Sequence, residues 1–162
     1  MNVLLTPEHI HLSINHIPLI GLPLACIPLL CAVIRRDRGV LFVGLLMALL
    51  CSASLPFITW TGDKAAGRLG DAPNLLDAQG KEWAVTHSQR ADTAEVVVYI
   101  TLGASLLGLL AMWKFPRLER PLGGVVLLLC VASTAVLVWV ADAGGKIHHP
   151  EFRAPIVQAA SS

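Results

Sequence analysis

Six histidines carry the distinctive chemistry of this 162-residue chain: His9, His11, His16, His87, His148 and His149. A neutral imidazole is the commonest side-chain ligand for a metal ion and a usual axial ligand of haem iron. His9 and His16 stand seven residues apart, two helical turns, and so share a helix face, while His11 points elsewhere. His16 lies beside Asn15 and 19 residues before Arg35. That separation is about 28 Å at helical rise, which puts His16 near one boundary of a hydrocarbon layer. An ionisable group at that depth normally faces a bundle interior and marks a site.

The other histidines come from different segments. His87 precedes a long apolar stretch, and His148-His149 follow Gly144-Gly145. Imidazoles drawn from three segments to one end of a bundle suit a haem iron or a metal ion. The metal-ligand candidates are therefore His9, His11, His16, His87, His148 and His149, with Glu151 or Asp142 as oxygen donors. For haem the candidates are His16, His87, His9 and His149. The expected axial pair is His16 with His87, and His9 is the alternate partner by height. Arg90, one turn after His87, together with Lys64, Arg68 or Lys146, supplies charge for propionates. The chain has no HExxH and no CxxCH, so zinc-protease and c-type haem chemistry are unsupported.

The elements that must position these residues follow from composition. Hydrophobic residues make up 55% of the chain and charged residues 14%, with a mean hydropathy of +0.68. A soluble domain is nearer a quarter charged. Four windows hold no Asp, Glu, Lys or Arg: 17–34, 39–62, 96–113 and 121–141. About 20 apolar residues cross the roughly 30 Å hydrocarbon core, and in lipid a helix hides its own backbone at that length. The expected fold is all-α: one integral-membrane four-helix up-down bundle with spans of about 10–34, 39–61, 94–114 and 121–142. A loop at 62–93 and a tail at 143–162 lie outside the bilayer. Cys26, Cys31, Cys51 and Cys130 fall within spans and read as small packing residues. The lipid bilayer is the implied surroundings, and the absence of a basic run sets nucleic acid aside. Residues 1–14 lack the basic start of a cleavable signal and carry Glu8 instead.

Two short loops, Arg35-Arg36-Asp37-Arg38 and Lys114 to Arg120, hold six of the twelve basic residues. The positive-inside rule places them in the cytoplasm of a bacterial inner membrane, with both termini and every histidine on the periplasmic side. Thr6-Pro7-Glu8 reads as a helix start. The first helix is therefore expected from Pro7, with bends at one or more of Pro18, Pro23 and Pro28. The third helix is expected to begin near Lys81 and run unbroken into its span. Pro73-Asn74 and Gly80 mark irregular chain. Gly144-Gly145 is expected to end the fourth helix, and 159–162 to fray. No internal repeat is evident.

The stretch Glu8-His9-Ile10-His11-Leu12-Ser13-Ile14-Asn15-His16-Ile17-Pro18-Leu19-Ile20-Gly21 resembles the opening of an uncharacterised family of small four-helix bacterial inner-membrane proteins. Thr61-Gly62-Asp63-Lys64-Ala65-Ala66 and Gly144-Gly145-Lys146-Ile147-His148-His149-Pro150-Glu151 fit the same pattern, and His87 falls where that family has a histidine entering its third helix. The chain departs at Ser88, where the family often has Glu, and at His148, where it usually has Arg. The resemblance implies that His9, His11, His16, His87 and His149 belong to a site, but it names no activity.

The leading functional expectation is a b-type cytochrome that binds haem b through these histidines. It would pass electrons within a respiratory or photosynthetic complex or to a periplasmic carrier. The alternatives are a histidine site for zinc, copper or non-haem iron, and a cofactor-free accessory subunit of a larger membrane complex. Proton or ion transport is not evident, because the spans hold no ionisable side chain beyond cysteines and Tyr99.

Overall fold

The computed structural model describes residues 6–71 and 75–153. Helices α1 (Pro7–Ile14), α2 (His16–Arg35), α3 (Arg38–Ala53), α4 (Leu55–Asp71), α5 (Ala78–Lys114) and α6 (Glu119–His148) follow in order, with a 3-10 turn at Pro150–Phe152. No strand occurs among the described residues. Taken across two short breaks, these make four helices long and apolar enough to cross a membrane. Two hairpins result, one of α1 to α4 and one of α5 with α6. In the bundle, α2 packs on α3, α3 on α5, α5 on α6, and α6 back on α2. The arginine-rich turns lie at one end. At the other, called here the histidine end, stand α1, α4, the start of α5 and the end of α6.

Both breaks trace to prolines. Thr6 caps α1, accepting the His9 amide at 3.5 Å. Pro18 lacks the N–H that would bond the Ile14 carbonyl, and its ring crowds that carbonyl. The helix accordingly breaks at Asn15. Pro23 and Pro28 are carried inside α2 without ending it. In the second span Pro56 acts likewise, and the break falls at Ser54. Beyond it the chain stays helical to Asp71, ten residues past the expected end at 61. The first part of the expected loop is therefore α4, and Pro73-Asn74 lies outside the described residues.

The third helix begins at Ala78 and is unbroken to Lys114. Asp77 caps it, accepting the Gly80 amide at 2.6 Å. Gly80, expected in irregular chain, is helical because a Cβ there would stand 2.7 Å from the Ile147 carbonyl of α6. Gly144-Gly145 likewise does not end the fourth helix, which runs to His148. Its last carbonyls, on Lys146 and Ile147, take hydrogen bonds at 2.6 Å from the Arg153 guanidinium, which is paired with Asp77. A cation capping a helix C-terminus replaces the glycine stop that the sequence suggested. The tail beyond Arg153, including the expected frayed end, lies outside the described residues.

The core is packed leucine against glycine. A Cβ on Gly44 would stand 2.7 Å from Leu29, one on Gly108 2.9 Å from Leu45, and one on Gly123 2.6 Å from Leu41. In lipid, where water does not drive helices together, such close approach is what holds them. The buried Thr101 and Ser133 hydroxyls bond each other across α5 and α6 at 2.8 Å. At the arginine end Arg38 pairs with the buried Glu119 carboxylate at 3.0 Å.

Candidate histidine site

α4 gives α1 a partner. The two run antiparallel above the first break, tied by Arg68 and Glu8 at 3.1 Å. Between them lies His11, half-buried, with Nδ1 3.0 Å from the Ile58 carbonyl and 3.4 Å from the hydroxyl of buried Thr61. His87, also half-buried, reaches from α5 to α6 with Nδ1 3.0 Å from the Val140 carbonyl. A carbonyl only accepts, so in both rings Nδ1 carries a proton, and in a neutral ring the lone pair is then on Nε2.

Each ring lies over a glycine. The accepting carbonyl belongs to the residue four before it: Ile58 before Gly62, and Val140 before Gly144. A helical carbonyl points along the axis toward residue i+4, so a ring that bonds it must lie on that residue. A Cβ on Gly62 would stand 3.0 Å from Cε1 of His11 and 3.2 Å from its Nδ1. On Gly144 it would stand 3.1 Å from both atoms of His87. Glycine leaves room for the ring.

Burial pushes the His87 pKa down, against the hydrogen bond to Val140, and the neighbouring His11 and Arg90 lower it further. His87 lies before the apolar window of α5, outside the expected span, and is held as a neutral imidazole. Arg90, one turn on, donates to the Trp139 carbonyl at 2.8 Å and to Asp142 at 3.1 Å. Its guanidinium sits 4.6 Å from the Trp139 ring centre, and Lys146 lies 4.6 Å from that of Trp83. This belt of tryptophans and cations sits where α5 and α6 leave the apolar stretch.

The remaining histidines do not join this pair. His16, expected to be the better buried, is exposed, and its Nδ1 bonds the Leu12 carbonyl of its own segment at 2.8 Å. His9 is exposed in the first turn of α1. His9 and His16 are both on the exposed side, despite the break at Asn15, and it is His11 that turns inward. His148 and His149 are exposed and follow no flexible turn, because Gly144 and Gly145 are helical. His149 bonds Glu151 at 2.8 Å and stacks on Phe152. Among the described residues no three of His, Cys, Asp and Glu come together as a metal site. The histidines fastened across their own hairpins are His11, to Ile58, and His87, to Val140.

Sequence reasoning placed His11 on a different face from His9 and His16 but expected the face of His9 and His16 to turn inward, and the structure turns the His11 face to α4 instead. Gly62 and Gly144 were read as family pattern and helix stop, although a glycine inside an apolar helix signals close approach. No protein-family model, no curated protein and no solved structure matches the chain.

Proposed function

We propose that this protein is a b-type cytochrome-like membrane protein that holds haem b between His11 and His87 and transfers electrons. The supporting observation is the paired latch: two imidazoles from opposite hairpins, each fastened through Nδ1–H with Nε2 bare. A metal-ligating histidine characteristically donates its other ring N–H to a carbonyl or carboxylate. With no cluster of three donors among the described residues, two such imidazoles would suit haem iron better than a zinc site, which takes three or four protein ligands. When bound, haem supplies one-electron exchange.

The chain's own residues do the rest. Ile58 and Val140 fix the tautomer and angle of each ring. Burial keeps His87 neutral and so competent as a ligand. Lys64, Arg68, Lys146 and Arg90 provide positive charge at the same end for propionate groups, although Arg68, Lys146 and Arg90 already pair with acids. By the charge of its short loops the histidine end faces the periplasm of a bacterial inner membrane. There a periplasmic carrier or a respiratory or photosynthetic complex would exchange electrons with it.

The test is an optical spectrum of the protein purified from membranes. A reduced-minus-oxidised b-type spectrum is expected, abolished in His87→Ala and in His11→Ala but retained in His16→Ala. A folded protein that takes up no haem overturns the proposal. Retention of the spectrum in His11→Ala would return the second ligand to His16 or His9.

A further inference from the structure

We infer that the site is one device built twice, with His11 and His87 as equivalent ligands and Gly62 and Gly144 as the residues that position them. The inference rests on the haem reading only for its effect on potential; the latch itself stands on the geometry. In the first hairpin a histidine of the first arm bonds a carbonyl of the second arm, four residues before a glycine. In the second hairpin the same relation holds. The bond lengths are equal, 3.0 Å. The space kept for the ring is nearly equal too, since an added Cβ would meet Cε1 at 3.0 Å in one and 3.1 Å in the other. Both glycines are followed two residues later by lysine, Lys64 and Lys146. Each hairpin turns at a basic loop at the opposite end. The flanking sequences differ enough to hide this correspondence, and the Asn15 break in one arm shifts the register between the halves.

Equivalence has a chemical consequence. A hydrogen bond from Nδ1–H to a carbonyl makes Nε2 a stronger base and a better donor to a metal. Stronger donation favours the oxidised iron. Weakening either latch should therefore move the midpoint potential in the same direction, upward, and neither ligand should be dispensable. If both imidazoles bound the iron, the site would suit electron transfer and not capture of a small ligand.

The experiment uses the full chain in lipid nanodiscs with nitrogen-15-labelled histidine. In the wild type at neutral pH, both His11 and His87 should show Nδ1 protonated and Nε2 bare. Gly62→Ala should change the signals of His11 alone, and Gly144→Ala those of His87 alone. Gly67→Ala, where a Cβ would meet nothing within 4 Å, should change neither. With haem b bound, both glycine variants should keep one haem per chain and raise the midpoint potential. A wild-type ring protonated at Nε2, or shifts of opposite sign, overturns the inference. The wild-type measurement needs no substitution, so a variant that fails to fold does not shield it. Both tautomers as expected without haem uptake would sink the proposed function and leave the latch standing. Haem uptake with a wrong tautomer would do the reverse.

Discussion

Replacing Gly144 by alanine tests the latch energetically, because two opposed effects differ in size. Alanine in place of a helical glycine ordinarily stabilises by about 0.5–1 kcal/mol, since less backbone freedom is lost on folding. At Gly144 the new Cβ stands 3.1 Å from Nδ1 and Cε1 of His87, tighter than ordinary contact. The ring must retreat by some tenths of an ångström, and the 3.0 Å bond to Val140 is lost or bent. Leaving a partly buried ring nitrogen without its partner costs about 1–3 kcal/mol. The loss wins, and Gly144→Ala should destabilise by about 1 kcal/mol net of the glycine effect. In a His87→Ala background nothing opposes the gain, and the same change should stabilise by about 0.5–1 kcal/mol. The coupling between the two sites is then about 1.5–2 kcal/mol, beyond the few tenths expected of independent residues. Reversible unfolding in mixed micelles, followed by tryptophan fluorescence, measures all four corners of the cycle. Trp83 and Trp139 lie at this end of the bundle. If Gly144→Ala stabilises the wild type as much as Gly67→Ala does, the ring does not sit over Gly144 and the reasoning fails.

Acid should weaken both the fold and the site. The His87 pKa is lowered on folding, chiefly by burial, so the unfolded chain takes up the proton first. Its contribution is therefore constant above the ordinary histidine value of about 6.5, falls as pH drops below it, and levels off once His87 protonates in the folded protein. Unfolding titrations from pH 8 to pH 4 should show that fall reduced in His87→Ala, and an unchanged profile would refute it. Pro18→Ala restores an N–H to the Ile14 carbonyl, worth about 3 kcal/mol to helix continuity. The His11 bond is worth about 0.5–1.5 kcal/mol and the exposed Glu8–Arg68 pair at most about 1 kcal/mol. The first helix should therefore straighten and His11 leave Ile58; an Nδ1 signature of His11 that survives the substitution contradicts this. Ser133→Ala removes one hydroxyl of the buried Thr101–Ser133 pair. It should cost about 1 kcal/mol, and the additional change Thr101→Val should add little; full additivity in micelle unfolding would show that the two do not interact.

The sequence determined the four spans, the start of the first helix at Pro7, the unbroken third helix and the end of the bundle that holds the histidines. These are one-dimensional properties: stretches free of charge, a Thr-Pro-Glu start, and turns too short to let neighbouring helices part. His87 was legible for the same reason, being a polar group just before an apolar window. Which histidine of the first span turns inward was not. Packing decided that: His9 and His16 both lie on the exposed side of the first span, and His11 is on the side turned toward α4. The second helix decided it as well, by continuing past Thr61 as α4 and giving His11 a carbonyl to bond. Gly62 and Gly144 show the same limit. In sequence a glycine is a gap or a stop, and only a ring 3.0–3.1 Å from where its Cβ would stand shows that it is a seat. The period of the chain fixes which residues enter a helix; the packing of one hairpin on another fixes which of them meet.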